Sequence, residues 1–117
     1  MMIEQLILEY LISKDIDGIE GNVFCETPIN PPSEYILIER TSGSARNKIN
    51  QCMLAVQSIS MESLYRAMVI DNFVVDALEA VAEELTEIFS CRLNTHYNFP
   101  NTTTKEYRYQ AVFDIHY

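Results

Sequence analysis

The chain ends on a regular alternation. Tyr107, Tyr109, Ala111, Phe113, Ile115 and Tyr117 are apolar or aromatic, while Glu106, Arg108, Gln110, Asp114 and His116 between them are polar. Only Val112 breaks the pattern. Successive side chains on a strand point to opposite faces, so this stretch predicts a strand with one buried face. It runs to the last residue, which implies that the carboxyl end is built into a sheet rather than frayed.

The period changes elsewhere. Ile3, Leu6, Ile7, Tyr10 and Leu11 recur at helical spacing and predict a helix over 2–13, with Glu4 near its positive end and Lys14 near its negative end. Asp17-Gly18 and Gly21-Asn22 then break the chain. Val23-Phe24-Cys25 suggests a short strand, followed by a loop holding Pro28, Pro31 and Pro32. Tyr35 to Thr41 and Ile49 to Ile59 read as the two arms of a long hairpin, with Ser42-Gly43-Ser44 as the turn signal and a tip over 42–50. Cys52, Leu54 and Val56 share one face of the second arm, and Gln51, Met53, Ala55 and Gln57 share the other.

A long helix is expected next, from about Met61 to Glu84. Ser60 is the predicted N-cap, Ile59 and Leu64 a hydrophobic staple, and Glu62 a first-turn acid. Leu64, Ala67, Met68, Val74, Val75, Leu78, Val81, Ala82 and Leu85 form its apolar side. Asp71 interrupts that side and predicts a bend or an edge position. Ile88 to Tyr97 reads as a strand with Phe89, Cys91, Leu93 and Tyr97 on one face and Ser90, Arg92, Asn94 and His96 on the other. A turn-rich connector, 98–104, leads to the final strand, so these two strands should pair antiparallel. The expected fold is α+β: one domain over 1–117, a small antiparallel or mixed sheet of about five strands, with an N-terminal helix and one long helix packed on it.

Charge sharpens this picture. The formal net charge is −9, which disfavours general or sequence-specific nucleic-acid binding. The charge is also unevenly placed. From Glu62 to Glu87 there are seven acids, Asp76, Glu79, Glu83 and Glu84 among them, and one base, Arg66. No acid occurs from 40 to 61, where Arg40, Arg46 and Lys48 stand. Such runs are usually solvated surface. The sharper reading is self-association, with the basic loop of one copy meeting the acidic helix of the next, a head-to-tail contact that closes into a ring when the rotation allows.

Chemical signatures are weak. There are three glycines and no phosphate loop, HExxH or GxSxG pattern. Cys25, Cys52 and Cys91 are odd in number and far apart, which reads as buried free thiols rather than disulfides or a zinc site. Cys91 and His96 lie an odd number of residues apart on a predicted strand, hence on opposite faces and poorly placed as a nucleophile–base pair. His116 is expected in a cross-strand polar pair. Tyr107 and Tyr109 flank Arg108 as in base-stacking platforms, but Tyr109 belongs to the predicted core face. No run is long and apolar enough for a membrane span, and no secretory signal opens the chain. Neither a catalytic site nor a cofactor is expected. Two other classes remain open: an acidic binding module that mimics DNA, and a small hydrolase or ligand-binding domain, which would need a deep apolar pocket with converging polar groups.

Two stretches carry a family likeness. Ile38-Glu39-Arg40-Thr41-Ser42-Gly43-Ser44 is one. The other is Tyr97-Asn98-Phe99-Pro100 followed by Thr104 to Ile115. With the order of hairpin, long helix and final strand pair, they resemble the small tail-terminator (tail-completion, minor capsid) proteins of long-tailed phages and prophages. The resemblance implies helices on a small sheet and a ring, typically of six copies, on the head-proximal end of the tail tube. Such a ring stops tube polymerisation and presents the head-joining surface. It implies the chain itself, a tail-tube protein and a head-completion or connector protein as partners. The expected locations are the virion tail and, during assembly, the bacterial host cytoplasm; a different head–tail neck protein is the nearest alternative. Arg40 lies inside the first matched stretch. With Arg46, Lys48, Glu79, Glu83 and Glu84 it is a candidate interface residue.

Overall fold

The computed structural model describes residues 3–16, 19, 21–46, 49–98 and 106–117, with backbone alone for 42–46 and 49–50. The elements are α1 (Ile3–Ser13), β1 (Val23–Phe24), β2 (Glu34–Arg46), β3 (Ile49–Ser60), α2 (Leu64–Glu79), α3 (Val81–Glu84), β4 (Ser90–Asn98) and β5 (Tyr107–His116). The strands form one sheet in the order β1-β2-β3-β5-β4. Only β1 pairs parallel, with β2, so the sheet is mixed and the fold is α+β.

The alternating patterns put one apolar face of the sheet under the helices. Ile36, Ile38, Leu54, Val56, Phe113 and Ile115 meet Ile3, Ile7 and Leu11 of α1 and Ile70, Val74 and Leu78 of α2 in the main core. The other face has a smaller cluster of Tyr35, Leu37 and Ile59, with Phe24 edge-on to Tyr35 at 6.0 Å. Val112, the break in the terminal alternation, faces that second side opposite Ala55, and both are buried. Ala111, Phe113 and Ile115 are buried as expected and Tyr117 packs against the core, but Tyr107 is exposed.

Several local expectations are corrected. The Ser42-Gly43-Ser44 signal is not the hairpin turn. It lies within β2, whose pairing with β3 continues to Arg46 opposite Ile49. The irregularity is absorbed as a bulge at Thr41, the extra residue between the pairs Arg40–Leu54 and Ser42–Met53, whose hydroxyl donates to the Met53 carbonyl at 3.2 Å.

The second helix starts later than Ser60. Ser63 is the N-cap, extended at φ −166°, ψ 158°, with its hydroxyl accepting from the Arg66 N–H at 3.1 Å. Ser60 is still in β3, where its hydroxyl donates to Glu34 and accepts from the Glu62 N–H. Ile59 sits on the helix-free face with Tyr35, so the expected staple does not form.

The expected single helix is also divided. α2 ends at Glu79, the Ala80 N–H turns back to the carbonyls of Ala77 and Leu78, and α3 follows. Asp71 is neither a bend nor an edge. It lies within the continuous α2, 1% exposed, aimed at the sheet. Met68, expected in the core stripe, is 41% exposed.

β4 spans Ser90–Asn98 and carries a bulge at Asn94, between the pairs Leu93–Phe113 and Thr95–Val112. One extra residue reverses the parity of everything after it. His96 therefore turns to the helix-covered side and Tyr97 to the open side, the reverse of the expected assignment. Phe89 precedes the strand and is exposed. Most of the turn-rich connector, 99–104, lies outside the described residues.

Candidate assembly surface

Three polar attachments fix α2, two to the sheet and one to α1. At its start, the Arg66 guanidinium donates to both oxygens of Glu34, Nε to Oε2 at 2.9 Å and Nη2 to Oε1 at 2.8 Å, and the Ser60 hydroxyl adds a third donor at 3.0 Å. Those Arg66 hydrogen bonds, with Ser60 and the guanidinium charge, hold the nearly buried Glu34 carboxyl below its usual range against the opposing cost of burial. At mid-helix, Asp71 Oδ2 lies 3.0 Å from Nδ1 of His96, whose side chain is 42% exposed. Burial pushes the Asp71 carboxyl up, and the His96 contact opposes that shift. Its Oδ1 is buried with no hydrogen-bond partner. Near the far end, the Tyr10 hydroxyl of α1 donates to the Ala77 carbonyl at 2.9 Å.

With one side clamped, the opposite side of α2 is left to solvent. Tyr65 is 72% exposed and Phe73 46%, and with Met68 and Val69 they follow helical spacing along the outer surface. Asp76 and Glu79 are exposed further along, and Glu83 is exposed on α3. The outer side is thus apolar toward the amino end and acidic toward the carboxyl end.

The six candidate interface residues divide among several settings. Glu79 and Glu83 are exposed, and no ion pair holds either among the described residues. Glu84 turns instead to α1, where Lys14 Nζ approaches Oε2 at 2.6 Å. Lys14 and the Tyr10 hydroxyl together lower its pKa. Arg40 stands 3.8 Å from Glu4 of α1, a long contact that leaves it 41% exposed. The Arg46 side chain and all of Lys48 lie outside the described residues. Among the described residues, the acidic segment's ion pairs are Glu84 with Lys14 and its one base, Arg66, with Glu34, while Asp71 meets His96 at hydrogen-bond distance.

The remaining candidate chemistry resolves into packing and hydrogen bonds. The bulge puts Cys91 and His96 on the same face, contrary to expectation, but His96 is held by Asp71. Burial pushes the Cys91 thiol up to about 12 and the Cys52 thiol to about 11, so neither is a thiolate at neutral pH. Cys25, expected buried, is exposed, because it follows the end of β1. Partial desolvation by its neighbours, then Glu4 and Glu26, raise its pKa as well. His116 pairs across strands with Ser90, Nδ1 to Oγ at 3.0 Å. Arg108 is taken up by Glu106 at 2.7 Å and Gln57 at 2.8 Å, and the Tyr109 ring lies 5.7 Å from that of His96. An open depression of about 350 Å³ beside Cys25, Glu39, Gln57 and Arg108 is polar rather than apolar. Among the described residues, no group of three or more His, Cys, Asp or Glu converges to hold a metal, and no helix is long and apolar enough to cross a membrane.

Solved structures share this fold. Among them is a chain of a particle described as the virion of a native gene transfer agent, superimposed with a TM-score of 0.72 over 97% of this chain and 92% of that one. Identity is 11%, so the likeness is one of fold. No family model matches the sequence, and no curated protein matches it.

The sequence pointed to the acids and not to the apolar outer side of α2. Tyr65 and Phe73 could have been found from their spacing. Tyr65, Val69 and Phe73 recur every four residues, out of phase with the Ala67, Ile70, Val74 and Leu78 stripe that packs inward.

Proposed function

We propose that this chain is a virion structural protein, a tail terminator that assembles head-to-tail into a ring on the end of a tail tube. There it stops polymerisation and offers the surface to which the head joins. The observation that carries the reading is the near-complete correspondence of its fold with a chain of a gene transfer agent virion. Its own surface and sequence support it: the acids Asp76, Glu79 and Glu83 are exposed, and the cations Arg40, Arg46 and Lys48 fall in a separate stretch of the sequence, the hairpin. Two unlike patches on one protomer are what a heterologous, ring-closing contact requires. Charges at the rim of that contact add orientation and association rate more than affinity. A ring of six is the expected size, with a tail-tube protein below it and a head-completion protein above, formed in the host cytoplasm and retained in the virion. The role is structural and uses no catalysis or cofactor.

Tube-growth experiments test this. Purified chain added to polymerising tail-tube protein should sit at one end of each tube in electron micrographs and halt growth there. Tubes that lengthen at the same rate, with no chain at either end, would refute the termination role.

A further inference from the structure

Resting on the ring reading, we infer that the apolar outer side of α2, around Tyr65, Met68 and Phe73, is the seat for the β2–β3 hairpin end of a second copy of this chain. The surface is unusual for a solvated helix. Tyr65 and Phe73 project from α2 at helical spacing with Val69 between them, and a depression of about 260 Å³ lies among Val69, Asn72, Phe73 and Asp76. Aromatic and Met side chains clustered on one face, with acids at the margin, have the composition of an interface core and rim.

Charge complementarity selects the occupant. Beyond the apolar patch α2 carries the exposed acids Asp76 and Glu79, with exposed Glu83 following in α3, so a fitting segment offers cations next to an apolar group. The hairpin end supplies that combination, with Arg46 and Lys48 beside Ile49 and no acid from 40 to 61. Backbone geometry adds that the hairpin outruns the sheet: its last pairs, Ala45–Asn50 and Arg46–Ile49, lie past the final β3–β5 pair, Gln51–His116.

The contact must be between copies. α2 begins beside Glu34 and Ser60, at the base of the hairpin, as the Arg66–Glu34 bonds require. The thirteen residues of β2 run from that base to the tip, roughly 40 Å at about 3.3 Å per residue. Tyr65 at one end and Arg46 at the other cannot meet within one molecule. Seat and hairpin end are therefore unlike surfaces of the same protomer, and their union repeats from copy to copy.

The test is site-specific photocross-linking of the full chain with benzoylphenylalanine in place of Tyr65, at rising protein concentration. The expected product is a covalent dimer whose cross-linked peptide spans residues 41–53 of the second copy. The Tyr65→Ser, Phe73→Ser double variant, folded by circular dichroism, should need at least about tenfold more protein to self-associate. Oligomers that cross-link elsewhere from position 65, or that form equally well from the double variant, would overturn this seat and leave the ring reading standing. Capture of added tail-tube protein at position 65, in place of a second copy, would overturn the occupant. A chain that stays monomeric at every concentration, with and without tube protein, would remove both.

Discussion

Replacing Glu34 tests how strongly the clamp at the start of α2 holds that helix to the sheet. Glu34 is nearly buried, accepts two bonds from Arg66 and accepts a third from Ser60. Breaking a fully buried pair costs about 3–5 kcal/mol. Arg66 retains roughly a quarter of its exposure, so part of its charge is rehydrated when the partner is lost. Glu34→Ala should therefore cost about 2–3 kcal/mol, and a cycle of Glu34→Gln with Arg66→Met should show a coupling of about 1–3 kcal/mol. Urea denaturation followed by circular dichroism measures both. The pH dependence has a definite sign. The folded carboxyl titrates below its unfolded value, so the clamp's contribution is complete above about pH 5 and is lost as the pH falls through the lowered folded range. The difference between wild type and Glu34→Gln should follow that course. A coupling under about 0.5 kcal/mol, or a difference that does not shrink in acid, would refute the assignment.

Three further outcomes are expected. Phe113→Ala, at a fully buried position in the main core, should cost about 3–5 kcal/mol and lower the thermal midpoint by about 10–20 °C in calorimetry. Asp71→Asn keeps an acceptor for His96 and removes a buried charge. Because burial raises the folded pKa of Asp71, its contribution to stability is complete in acid and lost as the pH rises through that raised value, so the Asn variant should gain on wild type toward neutral pH in denaturation series. Arg40→Glu meets Glu4 only across a 3.8 Å contact. It should leave the dichroism spectrum intact, cost at most about 1 kcal/mol, and weaken self-association in sedimentation experiments.

The parts of this fold that follow from periodicity were legible. The α1 stripe of Ile3, Ile7 and Leu11 packs inward, the two arms of the hairpin pair over most of their length, and the final two strands pair antiparallel. What escaped a pattern-based reading depends on single inserted residues and on partners distant in sequence. Thr41 and Asn94 each add one residue to a strand, and nothing local distinguishes a bulge from regular alternation there. The Asn94 bulge alone reverses His96 and Tyr97. Ser60 and Ser63 are both good caps by composition. Glu34, twenty-six residues upstream of Ser60, decides between them by engaging Ser60 in the sheet. Asp71 reads as an interruption because it is an acid in an apolar stripe, and only the Asn94 bulge, invisible in the pattern, brings His96 to it. At the candidate surface the acids were visible as a charge run, but the withdrawal of Glu84 to Lys14 required the α1–α3 contact.

A mixing experiment with two defective variants tests the head-to-tail claim most directly. One variant carries Tyr65→Glu and Phe73→Glu on the helix, the other Arg46→Glu and Lys48→Glu on the hairpin. Each alone lacks one of the two unlike surfaces and should remain a monomer of 13.5 kDa by native mass spectrometry. Mixed, they retain one intact contact between them and should form a 1:1 heterodimer of about 27 kDa that grows no further. Homodimers of either variant, or a mixture that stays monomeric where the unaltered chain assembles, would contradict a contact between helix and hairpin.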